Sequence, residues 1–284
     1  GLTVNEVPKG LRVADVLPDS PAQAADLAVG DVITAVDGKS IEGVASEVST
    51  GRIKGEPGTE VELTVEPVSG AGERTVTVER AEVRLPVTDG RIVRVDGRKV
   101  AYVPFFGFSR GAHGELRSEI ERLYEEGAEG LILDLRGNGG GLLQEAVLSA
   151  SIFVEDGDVV TTRSRTQGEK VYDATGEALD PRPTVVLINR DTASAAEILA
   201  SAIASYDLGT IVGEPSFGKG TFQEVIQLPD GGALDLTIGE YLTADEVSLA
   251  DKGIKPDVRA VDDLKTPPDE ALDQALSTLA PELR

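Results

Sequence analysis

From Lys99 onward the chain alternates short β-patterned runs with helical stretches, and this alternation constrains the fold more than any other feature. KVAYVPF precedes helical GELRSEIERLYEEG, GLILDLR precedes LLQEAVLSASIF, TVVLINR precedes SAAEILASAIASY, and TIVGE follows. Strands that alternate with helices of about 10 to 15 residues predict an α/β core around a largely parallel sheet. GTFQEVIQLPDGGALDLTIGEYL then reads as a hairpin turning at Pro229, Asp230, Gly231 and Gly232, and the tail from about Thr266 reads as an amphipathic helix.

The first part of the chain has a different period. LRVADV (11–16), DVITAVDG (31–38), VELTVEP (61–67) and RTVTVER (74–80) alternate apolar and polar residues between Gly and Pro, the pattern of a small β-rich domain. Ser20 precedes Pro21 at the head of AQAADL, the arrangement of a capped short helix, and Val44 to Ile53 is a second helix candidate. The expected division is therefore a β-rich domain at 1–82, an α/β core at 83–263 and a helical tail at 264–284. A Pro- and Gly-containing stretch from Pro86 to Gly97 joins the first two.

Composition excludes several classes. A net charge of -23 argues against nucleic acid, whose phosphates need clustered Lys and Arg. No apolar run approaches the roughly 18 residues of a membrane span. With no Cys and a single His, the chain has no disulfide framework or zinc-cysteine site, and neither a metal nor a cofactor is expected. It contains no Met and no signal-peptide pattern, so an N-terminal segment is expected to have been removed.

A single histidine leaves little room for a Ser-His-Asp triad, so an activated serine would need another base, and lysine is the known alternative. Ser194 in TASAAEI opens a helix. Its plain reading is a capping box with Glu197 three residues on, although the Ala195 N–H there could also hold a developing oxyanion. Lys219 lies in FGKGTFQ. Gly213 to Lys219 matches the first seven positions of a phosphate-binding loop, but Gly220 replaces the magnesium-binding Ser or Thr and a strand follows where a helix is required. LILDLRGNGGG (131–141) empties a buried strand into a glycine loop without a dinucleotide register. It leaves the Gly140 and Gly141 N–H groups at the carboxyl end of a strand, where α/β sheets place their sites; a plain tight turn is the alternative.

In order, SPAQAADLAVGDVITAVDGKSIEG, DLRGNGGGLL, TASAAEI, GEPSFGKGTFQ and DKGIKPDV resemble the carboxyl-terminal processing proteases, the tail-specific Ser-Lys peptidases that carry a PDZ domain. The resemblance implies a PDZ-like domain followed by an α/β, crotonase/ClpP-like serine protease core. It implies cleavage of proteins near or from their C-termini, outside the cytoplasm (periplasmic, cell-surface or secreted). Ser194 falls on the family's nucleophile, Lys219 on its base, Glu197 on its supporting carboxylate and Gln223 on its glutamine. Ala195 with Gly140 or Gly141 would hold the oxyanion. Gly1, Leu2, Thr3 and Val4 would form the loop that receives a substrate's terminal carboxylate, with the Val44 to Ile53 helix as the other wall; core residues of an edge strand are the alternative for Leu2 and Val4. Relatives usually carry a small residue where Asp191 stands and often Ser where Ala196 stands.

Three structural expectations accompany that mechanism. A lysine base must be neutral, which burial would have to supply. Gln223 reaches the lysine only if the chain bends at Gly220. Glu197 must be directed at backbone amides or held away, because a carboxylate beside the amine opposes its role as base. Protein or peptide substrates are the expected partners. The competing readings are a non-catalytic PDZ-type adaptor and a crotonase-like acyl-CoA enzyme; the second leaves Ser194 and Lys219 unexplained.

Overall fold

The computed structural model describes residues 1–18, 20–83, 86–166, 168–227, 232–250, 252–262 and 269–283. It contains two compact units, Gly1–Leu85 and Pro86–Arg284.

In the first unit the strands are β1 (Leu2–Val7), β2 (Gly10–Val16), β3 (Val32–Val36), β4 (Lys39–Ser40), β5 (Glu60–Glu66) and β6 (Arg74–Glu79), with helices α1 (Pro21–Ala24) and α2 (Ser46–Ile53). The antiparallel order is β1-β2-β3-β5-β6, with β4 on β3, so β1 is an edge strand. Period-two patterning puts Val61, Leu63 and Val65 of β5 into a core with Leu11, Val13, Ile33 and Ile41. The expected cap is present: Ser20 accepts the Gln23 N–H through its hydroxyl at 3.3 Å, and Pro21 opens α1.

The second unit holds β7 (Arg91–Val95), β8 (Arg98–Pro104), α3 (Ala112–Glu125), β9 (Gly130–Asp134), α4 (Leu143–Ala150), β10 (Asp158–Ser164), β11 (Gly168–Asp173) and β12 (Thr184–Ile188). There follow α5 (Ala195–Ser205), β13 (Thr210–Gly213), β14 (Thr221–Gln227), β15 (Ala233–Thr243), β16 (Val258–Arg259) and α6 (Glu270–Leu279). One sheet runs β16-β13-β12-β9-β8-β7 and is parallel except for the β7–β8 pair. A four-stranded antiparallel sheet, β11-β10-β15-β14, contains the anticipated hairpin; most of the turn expected at Pro229 to Gly232 lies outside the described residues. Every residue of β9 and β12 is buried, as strands covered on both faces require. Helices α3, α4 and α5 cover one face, through Leu116, Ile120, Val147 and Leu199 among others, and Ala271, Ala275 and Leu279 of α6 cover the other.

The stretch from Pro86 to Gly97 is not only a connector. It contains β7, which turns into β8 through Asp96 (φ 50°) and Gly97 (φ 83°), a left-handed pair typical of a two-residue hairpin.

At the carboxyl end of β9, Arg136 grips two acids. Its guanidinium binds Asp269 at 2.8 Å through both terminal nitrogens and Asp134 at 2.6 to 3.1 Å, tying the start of the glycine loop to the Asp269 cap of α6. Burial pushes the Asp269 carboxyl up, but hydrogen bonds from Arg136 and the Leu272 N–H override it and hold the group below the usual carboxylate range. A depressed folded-state value contributes stability above the unfolded value of about 3.9 and loses it as pH falls through the folded one. Asp269→Asn is therefore expected to lower Tm at pH 7 and to flatten the fall of Tm below about pH 4; parallel wild-type and variant curves would refute the assignment.

Candidate active site

Ser194 begins α5 with φ 57° and ψ -119°, a left-handed backbone rare for a residue with a side chain, and is half-buried. Such geometry costs on the order of 1–3 kcal/mol and persists only where the surroundings over-determine it. The surroundings do so here. Ala193 N–H donates to the Asn138 carbonyl at 2.9 Å, Thr192 Oγ1 donates to the Leu135 carbonyl at 2.8 Å, and Ser194 N–H donates to Glu197 Oε2 at 2.8 Å.

Glu197 is fully buried and organises the site. Oε1 accepts from Ser216 Oγ at 2.5 Å and from Gly218 N–H at 2.7 Å, while Oε2 accepts from the N–H groups of both Ser194 and Lys219, at 2.8 and 3.0 Å. The carboxylate thus points at backbone amides, as its expected role demands, and one oxygen draws the two backbones together. Ser216 Oγ also accepts the Ile254 N–H at 2.6 Å, which connects the DKGIKPDV segment to this cluster.

Two of the expected arrangements differ. Lys219 is exposed, because its backbone turns inward to Glu197 between buried Gly218 and Gly220 and its side chain is left on the open side. Burial of the amine by this chain alone is therefore not found. Gln223 is exposed on β14, beyond a register shift at Phe222/Gln223, and its amide faces Thr221 and Thr237 at 3.5 and 3.4 Å instead of the lysine. Gly220, outside the strand, is held by Tyr241 N–H donating to its carbonyl at 2.7 Å.

The glycine loop packs directly on the serine. A Cβ on Gly140 would meet Ala193 O at 2.7 Å and both Ala195 N and Ser194 Cβ at 2.9 Å, so only glycine fits there. The two candidate glycine donors are not equivalent. Gly140 N–H is engaged by Asn138 Oδ1 at 2.9 Å, whereas the Gly141 and Ala195 N–H groups have no partner among the described residues. Asn189 joins the two loops, its Oδ1 accepting Gly137 N–H at 3.0 Å and Asp191 N–H at 3.1 Å. Sequence reasoning passed over Asn138, Asn189, Thr192 and Ser216; the Asn inside RGNGGG was the one local signal available.

In the first unit, Leu2, Thr3 and Val4 lie in β1, paired with β2, and do not form a loop. Leu2 and Val4 pack on the core while the outer edge of β1 has no neighbouring strand among the described residues. Gly1, Leu2 and Val4 with Thr50 and Ile53 of α2 line a cavity of about 230 Å³, whose other walls include Ala22, Leu27 and Val61.

The first unit is a small antiparallel β domain with an open edge strand, and the second is an α/β core that presents a strained serine beside a glycine loop. Residues 99–260 match the model of Peptidase family S41 and residues 1–79 that of the PDZ domain. The carboxyl-terminal-processing protease of Picosynechococcus sp. is 36% identical over 259 residues, covering 90% of this chain and 63% of that protein. The carboxy-terminal processing protease CtpA of Bacillus subtilis is 33% identical over 261 residues, covering 92% and 55%. Among solved structures, the photosystem II D1 C-terminal processing protease superposes with a TM-score of 0.59 at 32% identity, covering 98% of this chain and 75% of that one. The chain belongs to peptidase family S41. It spans between half and two thirds of the two curated relatives named. Family membership sets aside the acyl-CoA reading.

Proposed function

We propose that this chain cuts proteins near their C-termini as a serine endopeptidase, with Ser194 as nucleophile and Lys219 as its base. The observation that carries this reading is the Glu197 carboxylate, which takes the N–H of both residues on one oxygen. In the proposed cycle Lys219 accepts the Ser194 hydroxyl proton as Oγ attacks a peptide carbonyl and gives it to the leaving amine; the neutral lysine then takes a proton from the water that cleaves the acyl-enzyme and returns it to Ser194 Oγ. Because Lys219 lies in the open, the desolvation that a base requires would come from the substrate covering the amine. Gln223 would act only after the strand bend shifts, or in holding substrate.

Two N–H groups would stabilise the oxyanion: those of Ala195 and Gly141. The trans peptide plane decides between the glycines. Asn138 C=O accepts from Ala193, so the Gly139 N–H across the same peptide points away from the serine loop. Gly140 N–H is occupied. Gly140 C=O accepts Phe108 N–H at 3.2 Å, so the Gly141 N–H points away from Phe108 and is free to donate.

The PDZ domain would select substrates by adding their last residues as a strand along the open edge of β1, with the final side chain in the cavity against α2 and the carboxylate at Gly1 and Leu2. The family resemblance supports a site of action outside the cytoplasm. A serine-directed fluorophosphonate is expected to label Ser194, and amidating the C-terminus of a peptide substrate is expected to raise KM about tenfold or more, the loss of a charge-assisted contact. No label on Ser194 would refute the catalytic reading in favour of an adaptor; equal KM for acid and amide would refute carboxylate recognition.

A further inference from the structure

We infer that Asn138 is the positioning residue of the oxyanion hole, fixing the Gly141 N–H through its side chain and the Ala195 N–H through its backbone carbonyl; this rests on the serine reading above. Asn138 is 1% exposed and makes four hydrogen bonds that join three segments. Its Nδ2 donates to the Phe105 carbonyl at 2.7 Å, at the end of β8. Its Oδ1 accepts Gly140 N–H at 2.9 Å inside the glycine loop. Its own carbonyl accepts Ala193 N–H at 2.9 Å, next to the nucleophile, and its N–H donates to the Leu135 carbonyl at 3.2 Å.

The amide orientation follows from its neighbours. A carbonyl can only accept and an N–H can only donate, so a flipped amide would set oxygen against oxygen and N–H against N–H. Neither aspartate nor leucine, the nearest shapes, supplies both functions.

The consequence for the reaction is geometric. By engaging Gly140 N–H, the side chain sets the rotation of the glycine strip, and the Gly140 carbonyl then meets Phe108 while Gly141 N–H is directed the opposite way. By its carbonyl it holds Ala193, and so places Ala195 N–H against Gly140. One residue therefore sets both donors, and oxyanion-hole donors act only when placed about 2.7–3.1 Å from the position the oxyanion will occupy. Asn138 touches no reacting atom itself.

The test uses the whole chain with an internally quenched peptide, Ser194→Ala as the zero, and far-UV circular dichroism to give activity per folded molecule. N138A is expected to lower kcat about 100-fold, the scale of losing one oxyanion donor, with KM changed less than threefold. N138D supplies a signature that a merely structural role would not give. Its carboxylate would face the Phe105 carbonyl, which favours the protonated form, and the protonated acid can again donate to Phe105 and accept from Gly140. Its activity relative to wild type is expected to rise at least tenfold between pH 8 and pH 5. If N138A does not fold, N138D alone decides. A kcat for N138A within threefold of wild type, or a pH-independent N138D ratio, would overturn the role of Asn138 while leaving the serine reading intact. Equal rates for wild type and Ser194→Ala would overturn the serine reading, and the Asn138 role with it.

Discussion

Ser194→Ala and Lys219→Ala are each expected to abolish peptide cleavage, by roughly four orders of magnitude or more, while leaving the fold intact. Removing a nucleophile or its base from a unit of this kind costs activity on that scale, with non-additive effects. The fold should tolerate both changes for reasons visible in the structure. Alanine at 194 keeps the backbone strain and the N–H bond to Glu197, losing only a half-buried hydroxyl. Lys219 anchors through its N–H, not its side chain, and exposed truncations of this type shift stability by about 0.5 kcal/mol or less. The double variant should be no slower than either single one, because in the proposed mechanism the two groups act as a pair. Steady-state cleavage of a labelled peptide with Tm controls measures all three. Substantial activity in Lys219→Ala would show that another group takes the proton.

The second large effect is expected from Glu197→Gln, which should damage stability and activity together. The glutamate is fully buried and its two oxygens accept four hydrogen bonds, three from backbone N–H groups and one from Ser216. Glutamine keeps one oxygen and turns an NH₂ toward two of these donors, and of the four only the Ser216 hydroxyl could accept from it. Two bonds to a charged acceptor are lost, each worth about 1.5–3 kcal/mol, and the orphaned donors stay buried. A fall in the Tm of the core by about 10 °C follows from that scale. Below the transition kcat should still fall at least 100-fold, since the amide either gives up both the Ser194 and the Lys219 N–H groups, which share Oε2, or keeps them and releases the Gly218 N–H beside Lys219. Wild-type Tm and kcat in this variant would mean that the carboxylate is incidental to the site.

The sequence disclosed the layers of this protein far better than its loops. The α/β alternation after Lys99 and the period-two runs before Glu82 map onto observed strands and helices within a few residues, because both faces of β9 and β12 are buried and their apolar runs are long. The strands at 158–164 and 168–173 escaped notice, the first although most of its residues are buried. β11 has five exposed residues of six, so no alternation marks it. β7 was masked by its flanking glycines, although Asp96-Gly97 is itself a hairpin signal. At the site, Glu197 directed at amides could be argued in advance from the chemistry of a lysine base. The exposure of Lys219 could not, since it depends on how the chain turns between Gly218 and Gly220. Asn138 was illegible for a related reason: its partners at Phe105 and Ala193 are far from it in the sequence, and only the folded sheet brings them within reach.

The left-handed backbone at Ser194 has one more consequence, for the chain's evolution. A position at φ 57° is one where glycine would sit with less strain than serine, so, with Ser194 as the proposed nucleophile, the variant most comfortable in this fold is one that cannot cut. Drift toward stability and selection for chemistry therefore pull in opposite directions at this residue. Among descendants that no longer need to cleave their targets, position 194 is where loss of activity would be rewarded by a firmer fold.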